Sequence, residues 1–176
     1  IIPSNFTRFG NDLVAISNSE FLVLSQSLQE KLRINHSFSS PMIKCSKYKA
    51  LIFDSSGTKY MVTTKTKVLS SGNLDKKIIF GEISERDNIA FITESDKYCC
   101  ELKVMDLYGN DKFHYYFAKM YVINASINDE GNKIAIHGIK SENGEIKSVI
   151  QIFDIKSESP VFSKEFDNMF FSINFF

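Results

Sequence analysis

Three histidines are the residues best suited to acid–base or metal chemistry in this sequence of 176 residues. His36, His114 and His137 are far apart in the chain, and none stands in an HxH or HxxxH arrangement or beside a nucleophile motif. Because metal-binding and catalytic histidines usually have nearby partner residues, we expect each of the three to lie on the surface or to pack within a strand. The pattern therefore predicts no catalytic residue, no metal ligand and no cofactor.

Calcium and phosphate chemistry are the next possibilities, and the sequence favours neither. Asp129, Glu130 and Asn132 carry suitable oxygen atoms, but the loop of alternating oxygen ligands that calcium sites use is missing. Turns select the same residue types for backbone reasons, so we interpret this segment as a turn. Gly57 and Gly72 stand alone, and the sequence contains no GxSxG, Walker or GxGxxG motif.

The three cysteines, Cys45, Cys99 and Cys100, are odd in number and lack CxxC spacing, which argues against a zinc site and a complete set of disulfides. Adjacent residues of a strand point to opposite faces, so a bond between Cys99 and Cys100 is not expected. We predict that all three are ordinary strand residues that pack as small hydrophobic side chains.

The strongest indication of a binding role is the aromatic segment FHYYF. In a strand, Phe113, Tyr115 and Phe117 would share one face. His114 and Tyr116 would share the other face, and we predict that they form a surface for a protein or glycan partner, since Tyr combines a large apolar area with a polar tip. Ordinary packing within a sheet is the alternative, because aromatic residues are favoured in strands.

Lysines make part of the chain locally basic, and together with Tyr48 and Tyr60 they could indicate a platform for single-stranded nucleic acid. The other interpretation is a solvated face whose edge lysines oppose aggregation. The chain has 21 Lys and Arg residues and 21 Asp and Glu residues, so no net charge attracts nucleic acid, and we predict no such partner. The lysines in question are Lys44, Lys47, Lys49, Lys59, Lys65 and Lys67.

Length and composition indicate one folded domain. A chain of 176 residues can bury a sizeable core, and 43% hydrophobic residues with 16 Phe exclude intrinsic disorder. No stretch reaches the roughly 18 apolar residues that a membrane-spanning helix needs, and no signal peptide is recognisable. The first residue is Ile rather than Met, so we expect that a further segment precedes this chain in the intact protein.

Short apolar runs of β type recur along the chain and indicate an internal repeat. Four positions align with successive spacings of about 37, 38 and 45 residues, within the range of four-stranded propeller blades. A polar turn and a second β run follow each position, and clusters of Gly, Asn and Asp mark the reversals. The aligned positions are Val14, Leu51, Ile89 and Ile134.

These repeats predict an all-β fold, a β-propeller-type array of about four four-stranded antiparallel blades. The predicted blades cover residues 2–36, 39–74, 76–120 and 121–166, and residues 167–176 have the pattern of the opening strand of a further blade. Each blade buries its faces against its neighbours, so an open array would expose an apolar end face. Either the four blades close on themselves, or the last strand completes another blade, or the chain is part of a larger propeller, which is the interpretation that we favour. An exposed end blade could also drive oligomerisation.

Residues 121–136, YVINASINDEGNKIAI, contain a strand, a turn that ends in Gly-Asn-Lys, and an apolar strand. Together with residues 50–57 and 104–110, this segment resembles WD-like and TolB-like propellers and, among them, a bacterial family of membrane-anchored propellers of unknown function. The resemblance implies a membrane anchor and further blades outside this chain, and an extracytoplasmic location at the cell envelope. It implies no catalytic motif. The chain lacks the Trp-Asp dipeptide of the wider WD-repeat pattern.

The function that these features predict is that of a rigid, non-catalytic extracytoplasmic scaffold that binds a protein partner or another ligand. Two alternatives stay open on the sequence. One is a propeller-type hydrolase whose site lies in the central channel and draws residues from several blades. The other is a structural component of an envelope complex.

Overall fold

Every regular element among the described residues is a β-strand. The computed structural model describes residues 5–167, which contain sixteen strands in four antiparallel sheets of four strands each. Within each sheet, the strands follow one another in chain order, which is the meander of a propeller blade. The predicted all-β fold with four four-stranded sheets is therefore confirmed. None of the described residues forms a helix long and apolar enough to cross a membrane.

The strands divide between two compact units, with the division between Ile78 and Ile79. In the first unit, sheet 1 contains β1 (Asn5–Phe9), β2 (Asp12–Ile16), β3 (Glu20–Leu24) and β4 (Glu30–Asn35), and sheet 2 contains β5 (Pro41–Cys45), β6 (Ala50–Asp54), β7 (Lys59–Thr63) and β8 (Val68–Asn73). Sheet 3 contains β9 (Ile78–Ile83), which begins at the boundary, β10 (Asn88–Thr93), β11 (Cys100–Asp106) and β12 (Asp111–Phe117). Sheet 4 contains β13 (Tyr121–Ile127), β14 (Lys133–Glu142), β15 (Glu145–Asp154) and β16 (Phe162–Phe166). Apart from Asp167, the segment predicted to open a further blade lies outside the described residues.

Alternating buried side chains build the core of the first unit. Residues two apart in a strand share a face, so one apolar face of sheet 1 can pack against one apolar face of sheet 2. Each large apolar side chain that is fully removed from water stabilises the fold by about 1.5–3 kcal/mol. Fully buried members of this core are Phe9, Val14, Ile16, Phe21, Val23, Ala50 and Ile52.

The core of the second unit is rich in aromatic side chains. The ring of Phe153 in β15 is fully buried, and its centroid lies 5.9 Å from that of Phe113, 4.6 Å from that of Tyr115 and 5.8 Å from that of Phe117. The rings are tilted or edge-on, which is the geometry that their quadrupoles favour. This cluster joins sheet 3 to sheet 4 and anchors one face of β12.

Polar side chains close several of the turns between strands. Asn128 Oδ1 accepts hydrogen bonds from the backbone N–H groups of Asn132 at 3.0 Å and Lys133 at 2.9 Å. Asp106 Oδ1 accepts a hydrogen bond from the backbone N–H of Asn110 at 3.0 Å. The side-chain hydrogen bond from Asn110 is the main cause that lowers the pKa of Asp106 to about 2. Residues 128–132 thus form the turn that the sequence predicts, and the side-chain oxygen of Asn128 accepts hydrogen bonds from the backbone.

A buried carboxylate ties sheet 1 to a turn of sheet 2 within the first unit. Asp12 of β2 accepts hydrogen bonds from Lys31 Nζ of β4 at 2.8 and 2.9 Å. Lys65, in the β7–β8 turn, places its Nζ 3.0 Å from Asp12 Oδ2 and 5.6 Å from the centre of the Phe9 ring. Hydrogen bonds from Lys31 and Lys65 lower the pKa of Asp12. The two ammonium groups therefore keep this carboxylate charged, and the contact with Lys65 connects sheet 1 to sheet 2.

Asp12→Asn is expected to lower the free energy of unfolding, because it leaves two ammonium groups without their carboxylate. The pKa of Asp12 is lower in the folded chain than its ordinary value of about 4. The carboxylate therefore stabilises the fold above about pH 5 and loses this effect as the pH falls through the folded pKa. Urea unfolding between about pH 7 and about pH 3 should show the largest difference from wild type at neutral pH. An equal difference at every pH, or the same loss from Glu158→Gln at an exposed position, would contradict this role.

In the second unit, the β13–β14 turn packs against the β9–β10 turn. Asn88 Nδ2 donates a hydrogen bond to Gly131 O at 2.9 Å, and the Arg86 N–H donates one to Asp129 O at 3.1 Å. Gly131 has a φ of 71°, and a Cβ there would lie 2.7 Å from Ser84 Oγ and 2.9 Å from Asn88 Cβ. Both the backbone conformation and the close approach therefore require glycine at this position.

Gly131→Ala and Gly144→Ala form a matched pair for measuring this turn contact. Both glycines have positive φ, 71° and 84°, but nothing lies within 4 Å of a Cβ at Gly144. We expect Gly144→Ala to lower the free energy of unfolding by about 1 kcal/mol through the backbone alone. Gly131→Ala should cost about 1–3 kcal/mol more, because Ser84 and Asn88 must move. Equal losses in urea unfolding would show that the contact does not constrain residue 131.

Candidate interaction surface

The hairpin of β11 and β12 positions the two residues for which the sequence predicts a binding role. Lys103 lies opposite His114, and Glu101 lies opposite Tyr116, so the four side chains share one face of sheet 3. Alternate residues of β12, such as Phe117, belong to the core of the second unit. The core contacts on one face of β12 therefore fix which residues the strand presents on its other face. β12 is also the edge strand of its sheet.

His114 lies between two carboxylates. Its Nδ1 is 2.5 Å from Glu101 Oε1, and its Nε2 is 3.2 Å from Asp111 Oδ2. Lys103 Nζ lies 3.0 Å from Asp111 Oδ1, which connects the four side chains into one group. Burial acts to raise the pKa of Asp111, but the hydrogen bonds from Lys103 and His114 outweigh it and lower that pKa. The side chain of Glu101 is 11% exposed and that of Asp111 is 49% exposed, so the group is closed at Glu101 and open to solvent at Asp111.

Two tyrosines belong to the same hairpin region. Tyr98, in the loop before β11, and Tyr116 have ring centroids 5.1 Å apart, with ring planes inclined by 33°. Tyr98 is 43% exposed and Tyr116 is 48% exposed. Half-exposed rings that already contact each other lose little conformational freedom when a partner covers them. We name the five residues Tyr98, Glu101, Asp111, His114 and Tyr116 the β12 patch.

The sequence predicts two of the five patch residues, His114 and Tyr116. Glu101 joins them through its cross-strand position, which depends on the register of β11 against β12. That register shifts at a bulge between Val104 and Met105, and no sequence signal predicts the shift. Tyr98 lies in a loop, whose path depends on tertiary packing.

The other two histidines lie outside the β12 patch. His36 follows β4, where its ring centroid is 4.9 Å from that of Phe38 and its Nδ1 accepts a hydrogen bond from the Phe38 N–H at 3.2 Å. His137 is buried in β14. Burial lowers the pKa of both imidazoles. Within residues 5–167, no group of three or more His, Cys, Asp or Glu side chains is arranged to hold a metal ion.

The three cysteines are free thiols. Cys45 of β5 packs against the core of the first unit, and Cys100 at the start of β11 belongs to the core of the second. Burial raises the pKa of Cys45 to about 12 and also raises the pKa of Cys100, which makes both poor nucleophiles. The prediction of a strand position was wrong for Cys99, which lies one residue before β11 with its Sγ 3.4 Å from Ala118 O.

The two tyrosines of the basic segment differ in exposure. Tyr48 is exposed, with Lys47 Nζ 5.1 Å from the centre of its ring, whereas Tyr60 is buried. A stacking platform for single-stranded nucleic acid needs exposed rings. Tyr60 therefore cannot take part in the platform that the sequence pattern could have indicated.

Two grooves occupy equivalent places, one in each unit. Each lies between the end of the fourth strand of one sheet, with the connector that follows it, and the third and fourth strands of the next sheet. Groove 2 is lined in addition by Lys140 of β14, the second strand of its sheet. Groove 1, in the first unit, has a volume of about 430 Å³, and residues that line it include Asn35, Phe38, Lys59, Met61 and Asn73. Groove 2, in the second unit, has a volume of about 300 Å³, and residues that line it include Phe117, Met120, Lys140, Gln151 and Glu165.

One protein-family model matches nearly the whole length of the chain. Residues 3–175 match the model of DUF5711, described as a family of unknown function. The chain belongs to the DUF5711 family. The predicted resemblance to a family of unknown function is therefore confirmed. A search of curated proteins finds no significant match for this DUF5711 chain.

Solved structures confirm the β-propeller fold of this DUF5711 chain. It is similar to the β-propeller domain of Cps50 (Swd1) from Myceliophteria thermophila, with 13% identity and a TM-score of 0.67, over 91% of this chain and 54% of that one. It is similar to BamB from Moraxella catarrhalis, with 14% identity and a TM-score of 0.66, over 91% and 48% of the two chains. It is also similar to the Pan2 WD40 domain of Neurospora crassa, with 13% identity and a TM-score of 0.61, over 92% and 51%. The chain thus spans about half the length of these propellers, and identities this low show the fold alone.

Glu101→Ala is expected to lower the free energy of unfolding by about 1–3 kcal/mol, because its largely buried carboxylate is bonded to His114. Asp111→Ala removes the more exposed carboxylate on the other side of the imidazole and should cost less than about 1 kcal/mol. Urea unfolding of the two single variants and the wild-type chain measures both values. A loss from Asp111→Ala as large as that from Glu101→Ala would show that the buried contact does not organise the β12 patch.

Proposed function

We propose that this chain is a non-catalytic interaction scaffold that binds a protein partner through the β12 patch. The observation that carries the proposal is the exposed pair of contacting tyrosines, Tyr98 before the β11–β12 hairpin and Tyr116 on it, together with the group in which His114 lies between Glu101 and Asp111. Tyr is among the residues that contribute most to protein interfaces, because it buries a large apolar area and keeps a hydroxyl for hydrogen bonding.

The charge of the hairpin favours a partner with exposed Arg or Lys side chains. Asp111 is the exposed carboxylate of the β12 patch and pairs with Lys103, whereas the carboxylate of Glu101 is largely buried against His114. The loop before Tyr98 contains the exposed acidic residues Glu94 and Asp96, beside one exposed cation in Lys97. Tyrosine rings attract cations through their faces, and carboxylates form charge-assisted hydrogen bonds with them.

The structure also supports a rigid surface for binding. β12, which carries His114 and Tyr116, is held by pairing with β11, and its opposite face packs into the aromatic core. Surface groups that are already ordered lose less entropy on binding, which increases the affinity that a given contact area provides. A scaffold of this kind needs no conformational change of its own to present the β12 patch.

We further propose that the scaffold acts outside the cytoplasm, at the cell envelope, as part of a membrane-anchored protein. The support for this location is the resemblance of residues 50–57, 104–110 and 121–136 to anchored propellers of unknown function. A basic protein of the envelope would then be the natural partner of the β12 patch, and the chain would help to hold an envelope complex together.

Site-specific crosslinking in intact cells tests the binding role of the β12 patch. With a photo-crosslinking amino acid in place of Tyr98, we expect one discrete protein adduct. Its yield should fall at least about tenfold when Tyr116→Ala is added, because a central tyrosine of an interface contributes about 2 kcal/mol or more. The crosslinker in place of Tyr108, which is 91% exposed in the β11–β12 turn outside the patch, is the matched control and should not give this adduct.

Two results would contradict the proposal. The first is the same adducts from positions 98 and 108, or an adduct from position 98 that Tyr116→Ala leaves unchanged. The second is binding of the purified chain to a glycan array, lost in Tyr116→Ala, without any protein adduct in cells. That second result would assign the β12 patch to glycans, which present hydroxyl groups to carboxylates and ring faces to tyrosine.

A further inference from the structure

Groove 1 of the first unit combines an apolar floor with a positive charge. Phe38 and Met61 are buried residues that line it and supply the apolar surface. Lys59 is exposed and lines the groove together with the amides Asn35 and Asn73. Among the described residues that line groove 1, none is acidic. The charge of Lys59 is therefore not balanced by a carboxylate within the groove.

Groove 2 of the second unit also contains a cation, Lys140, but this lysine lies on β14, the second strand of its sheet, and its charge is balanced. Gln151 of β15 lies opposite Ser163 of β16, and two residues further along the hairpin Glu165 lines the groove. Lys140 Nζ lies 2.6 Å from Glu165 Oε1. The hydrogen bond to Glu165 is the main cause that raises the pKa of Lys140. Groove 2 thus neutralises its own cation.

The same hairpin positions in groove 1 carry an amide instead. Met61 of β7 lies opposite Ser71 of β8, and two residues further along the hairpin Lys59 lies opposite Asn73. Asn73 therefore takes the place that Glu165 has in groove 2, and Lys59 takes the place of Val149. An amide can donate and accept hydrogen bonds, but it cannot neutralise an ammonium group.

We propose that groove 1 binds a small organic carboxylate with an apolar body. Lys59 pairs with the carboxylate, Asn35 and Asn73 provide hydrogen bonds at the rim, and Phe38 and Met61 contact the apolar body. The volume of about 430 Å³ lies within the range of about 300–1,000 Å³ that small-molecule sites occupy. This site is separate from the β12 patch, and it goes beyond the proposed scaffold function.

The other ionisable groups at or near groove 1 are His36, Asp54 and Tyr60, which is buried. His36 lines the groove, and burial lowers the pKa of its imidazole, so Lys59 supplies the positive charge at neutral pH. The charge of Asp54 acts to raise the pKa of His36, but Asp54 does not line the groove. Its Oδ1 accepts a hydrogen bond from the Ser40 N–H at 2.7 Å. The polarity of groove 1 therefore selects an anion.

Titration of the whole ¹⁵N-labelled chain with phenylacetate and with 2-phenylacetamide tests this site, because the two probes have nearly the same shape and differ in charge. We expect phenylacetate to shift the backbone amide signals of Gly72 and Asn73 and to bind about three- to tenfold more tightly than the amide. Lys59→Gln should reduce this ratio to about one. Lys67→Gln removes a lysine at the other end of the same hairpin and should leave the ratio unchanged.

Asn73→Glu provides the second test, since it installs the carboxylate that groove 2 contains. It should also bring the ratio of the two affinities to about one, and thermal unfolding checks that the variant is folded. Equal affinities in the wild-type chain, shifts confined to residues outside groove 1, or a preference that persists in Lys59→Gln or in folded Asn73→Glu would overturn the proposal. Crosslinking at Tyr98 is unaffected by either variant, so failure of this site and failure of the scaffold function are distinguishable.

Discussion

Burial of one apolar face of each sheet against a neighbouring sheet is the constraint on which the rest of the structure depends. A single four-stranded meander cannot remove its own faces from water. Two meanders packed face to face bury one face of each. In the first unit, Val14 and Phe21 are fully buried between sheets 1 and 2, and in the second unit Phe153 gathers the aromatic rings of β12. Local polar contacts, such as the pairing of Asp12 with two lysines, add to this packing and fix which turns meet.

The β12 patch follows from the same constraint. Side chains alternate along a strand, so anchoring Phe113 and Phe117 in the core leaves His114 and Tyr116 on the opposite face of the edge strand. Pairing with β11 then brings Glu101 beside His114, and a largely buried carboxylate holds the imidazole in place. The surface is therefore rigid because its reverse side is core, which suits a scaffold that binds a preformed partner.

The grooves lie where the buried faces end. The fourth strands β4, β8 and β16 are largely exposed, since the apolar packing is concentrated on the inner strands of each sheet. The resulting space recurs at the same topological place in both units, so its existence is a property of the repeat. The chemistry of the grooves is not a property of the repeat, because Lys140 pairs with Glu165 in groove 2, whereas Lys59 lies opposite Asn73 in groove 1. A repeated fold can thus provide a recurring cavity whose selectivity depends on single residues.

The sequence by itself determined the all-β class, the four-blade repeat and the alternation along β12, because apolar periodicity and turn residues are local signals. It predicted two of the five patch residues and neither groove. It also left the faces of the strands undecided: Val14 lies in the core of the first unit, whereas the core of the second unit contains Ala90 and not Ile89, which the repeat alignment pairs with Val14. A shift of one residue exchanges the two faces of a strand, so only long-range packing and the bulges in the ladders could decide which side chains meet.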